Sequence, residues 1–475
     1  MALVQTIDLE VVVDSTISPP LVSTWVAAHN PMYLEWIRKD NLVTNTSAYG
    51  VSNNLSIIVA DNSGYTAGDL IYINTTAAVG VYEVDSIVST NRIVTTSTGF
   101  ATSPGTYPGY VNNLTTRPNY YIEIELLNTA ETISLALLQA TPDTTGKIGI
   151  DISGAMQSYL SNEDPIAEFI VDAYKDQNAS KGFRYRTKEV WDGSSNSFGT
   201  SSDQHYAVNG AFQIGHEENG NYAEYYTENN GNRYAKFLTD FTELTAWDGY
   251  DIDVAFIYTD SVDTSLTDIF GTIAYFDYSN NLLSTSTFPL VPPADENNII
   301  RWKLPVQSQV GGFDVKYFEL YVDDSVSSIV DSMICNVVPV KDTPCPGIYL
   351  QWLGEKGNRS YFLFNDLYNE SMQVEGGGTY SKAFDRIDTL TEVSDWFNKD
   401  AYKKIQLGAE GLTRDQINGL KTLLKSPKVF EVDPVTFKKV GVLVEPGSFN
   451  IGRGDDNTFR VEFTMVYPKQ FGQSA

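Results

Sequence analysis

Cysteine is almost missing from this chain of 475 residues: there are two, Cys335 and Cys345, on either side of NVVPVKDTP. Two cysteines cannot make a disulfide framework, and neither has the CxxC spacing or neighbouring histidine of a metal site, so both read as reduced structural thiols. Histidine is nearly as scarce. His29, His205 and His216 are not paired at i, i+4 and none adjoins a cysteine, so each reads as an incidental surface or core residue. No GxSxG, HExxH, Walker or GxGxxG motif occurs, which leaves nucleophilic catalysis without sequence support. The expectation is no enzyme, no cofactor and no metal.

Basic residues are also few, 32 against 60 acidic, for a formal net charge of −28. Such a chain repels phosphates and anionic headgroups, so ordinary nucleic-acid or membrane-surface binding is disfavoured. The charge suits a solvated acidic surface, or the wall of a channel past which nucleic acid slides without sticking. Long apolar runs are missing too. The opening MALVQTIDLEVVVDST has no basic leader and is interrupted by Asp8, Glu10 and Asp14, which argues against a signal peptide or a spanning segment. The chain is expected to be made in a cytoplasm and used without signal-peptide export.

What is abundant points to sheets. Aromatics are 12% of residues, with 29 Tyr and 23 Phe beside many Thr, Val, Ile, Ser and Asn, while charged residues are only 19%. That mixture fits pleated, half-buried surfaces. At this length two to four domains are expected.

Four segments follow from the patterning. Residues 1–45 with 119–192 alternate as strands, as in NYYIEIELLN, where Tyr120, Ile122, Ile124 and Leu126 share a face. TISLALLQATPDTTGKIGIDIS reads as a hairpin around Pro-Asp. Ile152, Ala155, Met156, Tyr159 and Leu160 make one face of a short helix. Residues 46–118 change style, with short apolar runs (LSIIVA, DLIYI, GVYEVDSIV, RIVTT) between Gly- or Asn-bearing turns, and read as an inserted small β-barrel. Residues 193–345 open on GSSNSFGTSSDQ, a Ser/Gly-rich candidate for a linker or a long loop, and continue as a central β-sandwich-like domain with a hairpin at YSNN. Residues 346–475 form an α+β domain. Its helix TRDQINGLKTLLKSP carries a Thr413/Gln416 capping box and an apolar stripe of Ile417, Leu420, Leu423 and Leu424. Its last strand turns Phe459, Val461, Phe463 and Met465 inward. The fold class is mainly β and multi-domain.

One internal echo stands out: Tyr33-Leu34-Glu35-Trp36-Ile37 matches Tyr349-Leu350-Gln351-Trp352-Leu353. In the second copy an aromatic strand, RSYFLF, follows after a short turn. In the first, the corresponding strand follows the barrel. The echo reads as a duplicated β-hairpin with the barrel in one hairpin loop, where insertion is tolerated, and with each Trp at a sandwich centre, the alternatives being chance resemblance and a ligand motif used twice.

Acidic turns at DGYDID (248–253) and GRGDDN (452–457) offer oxygens for calcium but lack the EF-hand spacing, and read as solvated turns. NGNYAEYYTENNGNRY is the best aromatic patch for sugar stacking, with Tyr222, Tyr225, Tyr226 and Tyr234 as candidate glycan or partner contacts. An ordinary hairpin with cross-strand aromatics is the alternative.

The runs YAVNGAFQIGHEENGNYAEYY and AKFLTDF, the hairpin YLQWLGEKGNRSYFLF, and the tail KKIQLGAEGLTRDQINGLKTLLKSPKVFEV resemble virion structural proteins of tailed bacteriophages, especially phages of Bacteroidetes. NPMYLEWIRKDN and YYIEIELLN are similar in style to the same group, so the resemblance spans most of the chain outside 46–118. It implies a tail, baseplate or connector component located in the virion, a ring-like homo-oligomer contacting other virion proteins. The competing readings are a host-glycan-binding adhesin module of a phage or bacterial surface and, third, a polysaccharide-degrading enzyme.

Overall fold

The computed structural model describes residues 2–7, 11–14, 21–23, 25–49, 52–89, 91–99, 105–115, 117–143, 145–160, 173–176, 178–211, 222, 225, 236–259, 269–291, 297–323, 328–340, 347–381, 394–453 and 458–471. The fold is mainly β, in several sheets and one closed barrel. The chain divides into two compact units.

The first unit takes residues 1–161, 181–209 and 217–223. In it the strand Tyr33–Lys39 lies between Ala2–Ile7 and Lys147–Asp151, antiparallel to both. A second sheet runs Ser134–Ala140, Tyr121–Asn128, Ser180–Trp191, His205–Val208 and Trp25–Ala27. Leu34, Trp36 and Ile148 of the first sheet and Ile122, Ile124, Leu126, Phe183 and Tyr185 of the second belong to one buried cluster. Trp36 meets the Tyr185 ring edge-on at 6.3 Å. The helix Ser153–Tyr159 adds Met156 to this core, with Ile152 and Leu160 flanking it, as the spacing predicts.

The hairpin duplication does not hold. Tyr349 to Trp352 sit in a true hairpin, the strand Ile348–Leu353 pairing with Arg359–Phe364. The Trp36 strand never pairs with Tyr121–Asn128; the two are in different sheets, with residues of both in one core. An apolar alternation specifies which face is buried, not which strand lies beside it. Both tryptophans are nevertheless almost fully buried. Likewise, the Pro-Asp turn joins two sheets and not two paired strands. Asp143 holds it by accepting from the backbone N–H groups of Thr145 and Lys147.

The barrel is present. Its strands close in the order Arg92–Thr95, Asn54–Val59, Asn41–Tyr49, Gly109–Asn113, Leu70–Thr75 and Val79–Ser89. Val43, Leu55, Ile57, Ile71, Ile73, Val84, Ile93 and Val111 fill its interior, so it is a packed core and not a cup.

GSSNSFGTSSDQ is no free linker. Ser194–Ser195 pairs with Ser180–Trp191, and beyond it the amides of Asn196, Gly199 and Ser202 donate to the carbonyls of Glu189, Thr187 and Tyr185. Small polar residues let this irregular segment follow the sheet edge closely.

The second unit takes residues 162–180, 210–216 and 224–475. Its first described strand, Ala173–Lys175, lies before the expected boundary at 192 and pairs with Asn298–Leu304, which also pairs with Ile252–Tyr258. A five-stranded sheet runs Leu244–Trp247, Ser328–Val338, Tyr317–Asp323, Ile269–Phe276 and Leu282–Val291. A nine-stranded sheet follows, from Arg359–Phe364 at one edge to Leu367–Ser381 at the other. One buried cluster runs through all three sheets, so the central and C-terminal segments share a core. Trp247 meets Phe362 at 4.7 Å and Tyr250 meets Tyr349 at 5.0 Å.

The C-terminal helix Arg414–Leu420 has both arms of the Thr413/Gln416 capping box. Ile417, Leu420 and Leu423 are buried, but Leu424 is 47% exposed. From Lys421 the chain tightens to a 3-10 turn, and three residues per turn swing Leu424 off the α-helical stripe. The inward set Val461, Phe463 and Met465 is buried as read, with Phe459 half-buried.

Candidate functional site

The tyrosine patch does not form a sugar platform from its described members. Tyr222 is fully buried, and its backbone N–H donates to the Trp25 carbonyl. Tyr225 is 5% exposed, and its ring carries the Lys356 ammonium at 4.8 Å. The Asn, Gly and Glu neighbours suggest a solvated hairpin, yet both of these rings are buried, and each buried phenol ring takes a large apolar area out of water. Tyr226 and Tyr234 lie outside the described residues. His29 hydrogen-bonds to Asn209, His205 packs between Phe183 and Tyr185, and His216 lies outside the described residues. Cys335 is buried and free, its thiol pushed up by that burial; Cys345 lies outside the described residues.

The carboxylates of DGYDID do not converge. Asp248 accepts from the Ser308 N–H, Asp251 pairs with Lys303 at 3.2 Å, and Asp253 turns inward. Residues 454–457 of the second acidic turn lie outside the described residues. Among the described residues no group of three or more His, Cys, Asp or Glu is placed to hold a metal ion.

Among the described residues, a dense polar cluster lies inside the second unit, around Arg301. This arginine stands on an apolar strand, NIIRWKL, and is 1% exposed. Its Nε donates to Asp176 Oδ2, its Nη2 donates to the Gly357 carbonyl at 2.9 Å, and its Nη1 lies 3.5 Å from Asp253 Oδ1. Burial alone would lower the guanidinium pKa, but Asp176 and Asp253 hold it raised, so it stays charged. Asp176 also accepts the N–H groups of Asn178 and Ala179. Burial raises the Asp253 carboxyl, with Arg301 and the Tyr361 hydroxyl opposing. Gln351 donates to the Tyr361 hydroxyl at 2.6 Å.

Beside this cluster, Asp240 accepts from Asn358 at 3.3 Å and Ser360 at 3.1 Å, and its carboxyl too is raised by burial. Gly354 is required here: a Cβ would stand 2.2 Å from both Asp240 and Asn358.

Raised carboxyls beside a buried arginine often mark an active site. The space next to them is small. The cavity lined by Thr239, Asp253, Ser360 and Tyr361 measures about 20 Å³, room for one water and not for a sugar ring. The cluster acts as a staple, tying Asp176, the Arg301 strand and the Gly357 turn together. Sequence reading passed over Arg301, though a lone arginine between Ile300 and Trp302 is the signal of a buried charge needing an acid.

A second staple sits in the first unit, at the stem of the barrel. Arg38, 3% exposed, pairs with Asp40 at 2.6 Å, donates to the Asn113 carbonyl, and lies 4.3 Å over the Tyr120 ring.

No family model matches this chain, and no curated protein does. Among solved structures, it aligns with the FN1-FN3 domains of chicken CNTN1 at 6% identity, over 64% of this chain and 87% of that one, with a TM-score of 0.19. A marsupial T cell receptor aligns at 6% identity, over 94% and 96%, with a TM-score of 0.15. At such scores neither likeness bears on what this chain does. No helix among the described residues is long and apolar enough to cross a membrane.

Proposed function

We propose that the chain is a structural subunit of a bacteriophage virion, a tail or baseplate component that works by oligomeric packing of its β modules. The observation that supports this reading is where the exposed apolar side chains lie. On the barrel, Leu42, Leu70, Val79, Val81 and Val88 are each more than 40% exposed, on strands whose other side chains already fill the core. Apolar groups on the outside of a filled barrel suit a flat protein face better than a small ligand, which needs a concavity. Among the described residues, the buried arginines Arg301 and Arg38 hold segments together through their ion pairs. Net acidity keeps such a subunit soluble before it assembles. The motifs shared in style with tailed-phage virion proteins point the same way.

The test is immunogold labelling of purified particles of the phage that encodes the chain, with antibody raised against the barrel. Label at one fixed position on the tail supports the reading. Particles whose protein inventory by mass spectrometry lacks the chain overturn it.

A further inference from the structure

The strand Leu367–Ser381 is the outer edge of the nine-stranded sheet, and among the described residues no strand pairs with its free side. On its inner side it pairs with Ser394–Leu412 in ten unbroken steps, Leu367↔Gly408 to Gly376↔Lys399, before the register shifts. An open edge of this length is a template for another strand, and natural proteins blunt such edges with proline, lysine, bulges or shortness. The sequence LYNESMQVEGGGTYS contains no proline and no basic residue, and its first irregularity comes only at Gly376.

The faces are as open as the edge. Residues 369–375 are all exposed, although they alternate between the two sides, so neither side of the ribbon is covered there. Met372 and Val374, two residues apart and hence on one side, are 55% and 57% exposed. An edge strand bare on both sides, on a sheet whose next strand is already paired with Phe459–Val466 and Gln470–Phe471, leaves its outer backbone groups as a template for a further strand.

Resting on the assembly reading, we infer that this edge pairs with a strand of a second copy of the chain, carrying the sheet across a subunit boundary. The occupant follows from charge. Two copies at −28 each repel, so they approach closely only where charge is balanced. Along these steps charge is balanced locally: Glu370 is paired with Lys403 at 3.2 Å, Lys404 with Glu445 at 2.7 Å and Asp400 with Lys469 at 2.7 Å. A basic partner would be drawn instead to the acidic remainder of the surface. The edge supplies backbone donors and acceptors, and Met372 with Val374 supplies apolar area.

Two measurements on the full chain test this. In hydrogen–deuterium exchange across a dilution series, the amides of 368–376 gain protection as the wild-type oligomer forms. In mass photometry, the double variant Met372→Lys, Val374→Lys associates roughly a hundredfold more weakly, as expected when charge enters an interface centre. Leu443→Lys, another exposed apolar position, leaves association unchanged. Circular dichroism checks folding, and the exchange experiment needs no variant. If the wild type assembles but 368–376 gain no protection and the double variant assembles normally, this inference fails while the assembly reading stands. A wild type that stays monomeric at every concentration overturns the reading itself, and the inference with it.

Discussion

The Arg38 guanidinium donates a 2.8 Å hydrogen bond to the carbonyl of Asn113, 75 residues further along the chain. Arg38 lies just before the first barrel strand and Asn113 ends the last one, so this contact closes the insertion at its stem. Asp40 completes the clamp, bound to Arg38 and accepting the Asn113 N–H at 2.9 Å.

Replacing Arg38 with alanine leaves Asp40 and the Asn113 carbonyl without their main donor, at a cost of about 3 kcal/mol. Lysine does not rescue it, because the bond pattern needs the planar fork. Urea unfolding of the full chain measures this, and a loss below about 0.5 kcal/mol, the level of an ordinary surface change, contradicts the clamp.

Arg301→Met is the corresponding test of the second staple. It leaves Asp176 and Asp253 buried without their counter-charge and costs roughly 3–5 kcal/mol. Adding Asp176→Leu and Asp253→Leu to the same chain recovers part of that loss, since no buried charge then remains unpaired. A triple variant less stable than Arg301→Met alone contradicts this account.

Asp240 makes stability fall with rising pH. Burial raises its carboxyl above the ordinary 3.8, so the folded state keeps a proton that the unfolded state has released. That contribution is fully present below the unfolded value and is lost as pH rises through the folded one. Asp240→Asn therefore gains on the wild type as pH climbs from 4 to 8, and differs from it least at the acid end. Paired urea titrations read the difference directly; a difference flat with pH rules the mechanism out.

Gly419→Ala reverses the usual helix rule. Alanine normally stabilises an α-helix interior by about 1 kcal/mol over glycine. Here the new Cβ would stand 2.2 Å from the Phe241 ring, and overpacking of this kind costs about 1–3 kcal/mol. Thermal unfolding of the variant gives the sign, and a raised midpoint contradicts the packing.

Much of this architecture can be read from residue order. Alternation marks the Val461, Phe463 and Met465 face, and the short runs between Gly and Asn turns mark the barrel. These are local signals, carried by period and turn chemistry. Pairing across long separations is not local. Nothing near Trp36 announces that its strand lies between Ala2–Ile7 and Lys147–Asp151, or that Asp176 reaches Arg301. The tyrosine patch misleads for a related reason: polar neighbours describe the turn, while the burial of Tyr222 and Tyr225 is decided by distant residues. Leu424 escapes because the helix changes pitch within its last turn.

Native mass spectrometry of the purified full-length chain bears most directly on the central claim that these β modules are built to pack against further copies. The account predicts one dominant closed species of fixed copy number, unchanged over a wide concentration range once formed. A monomer at all concentrations, or an unbounded ladder of sizes, would contradict it.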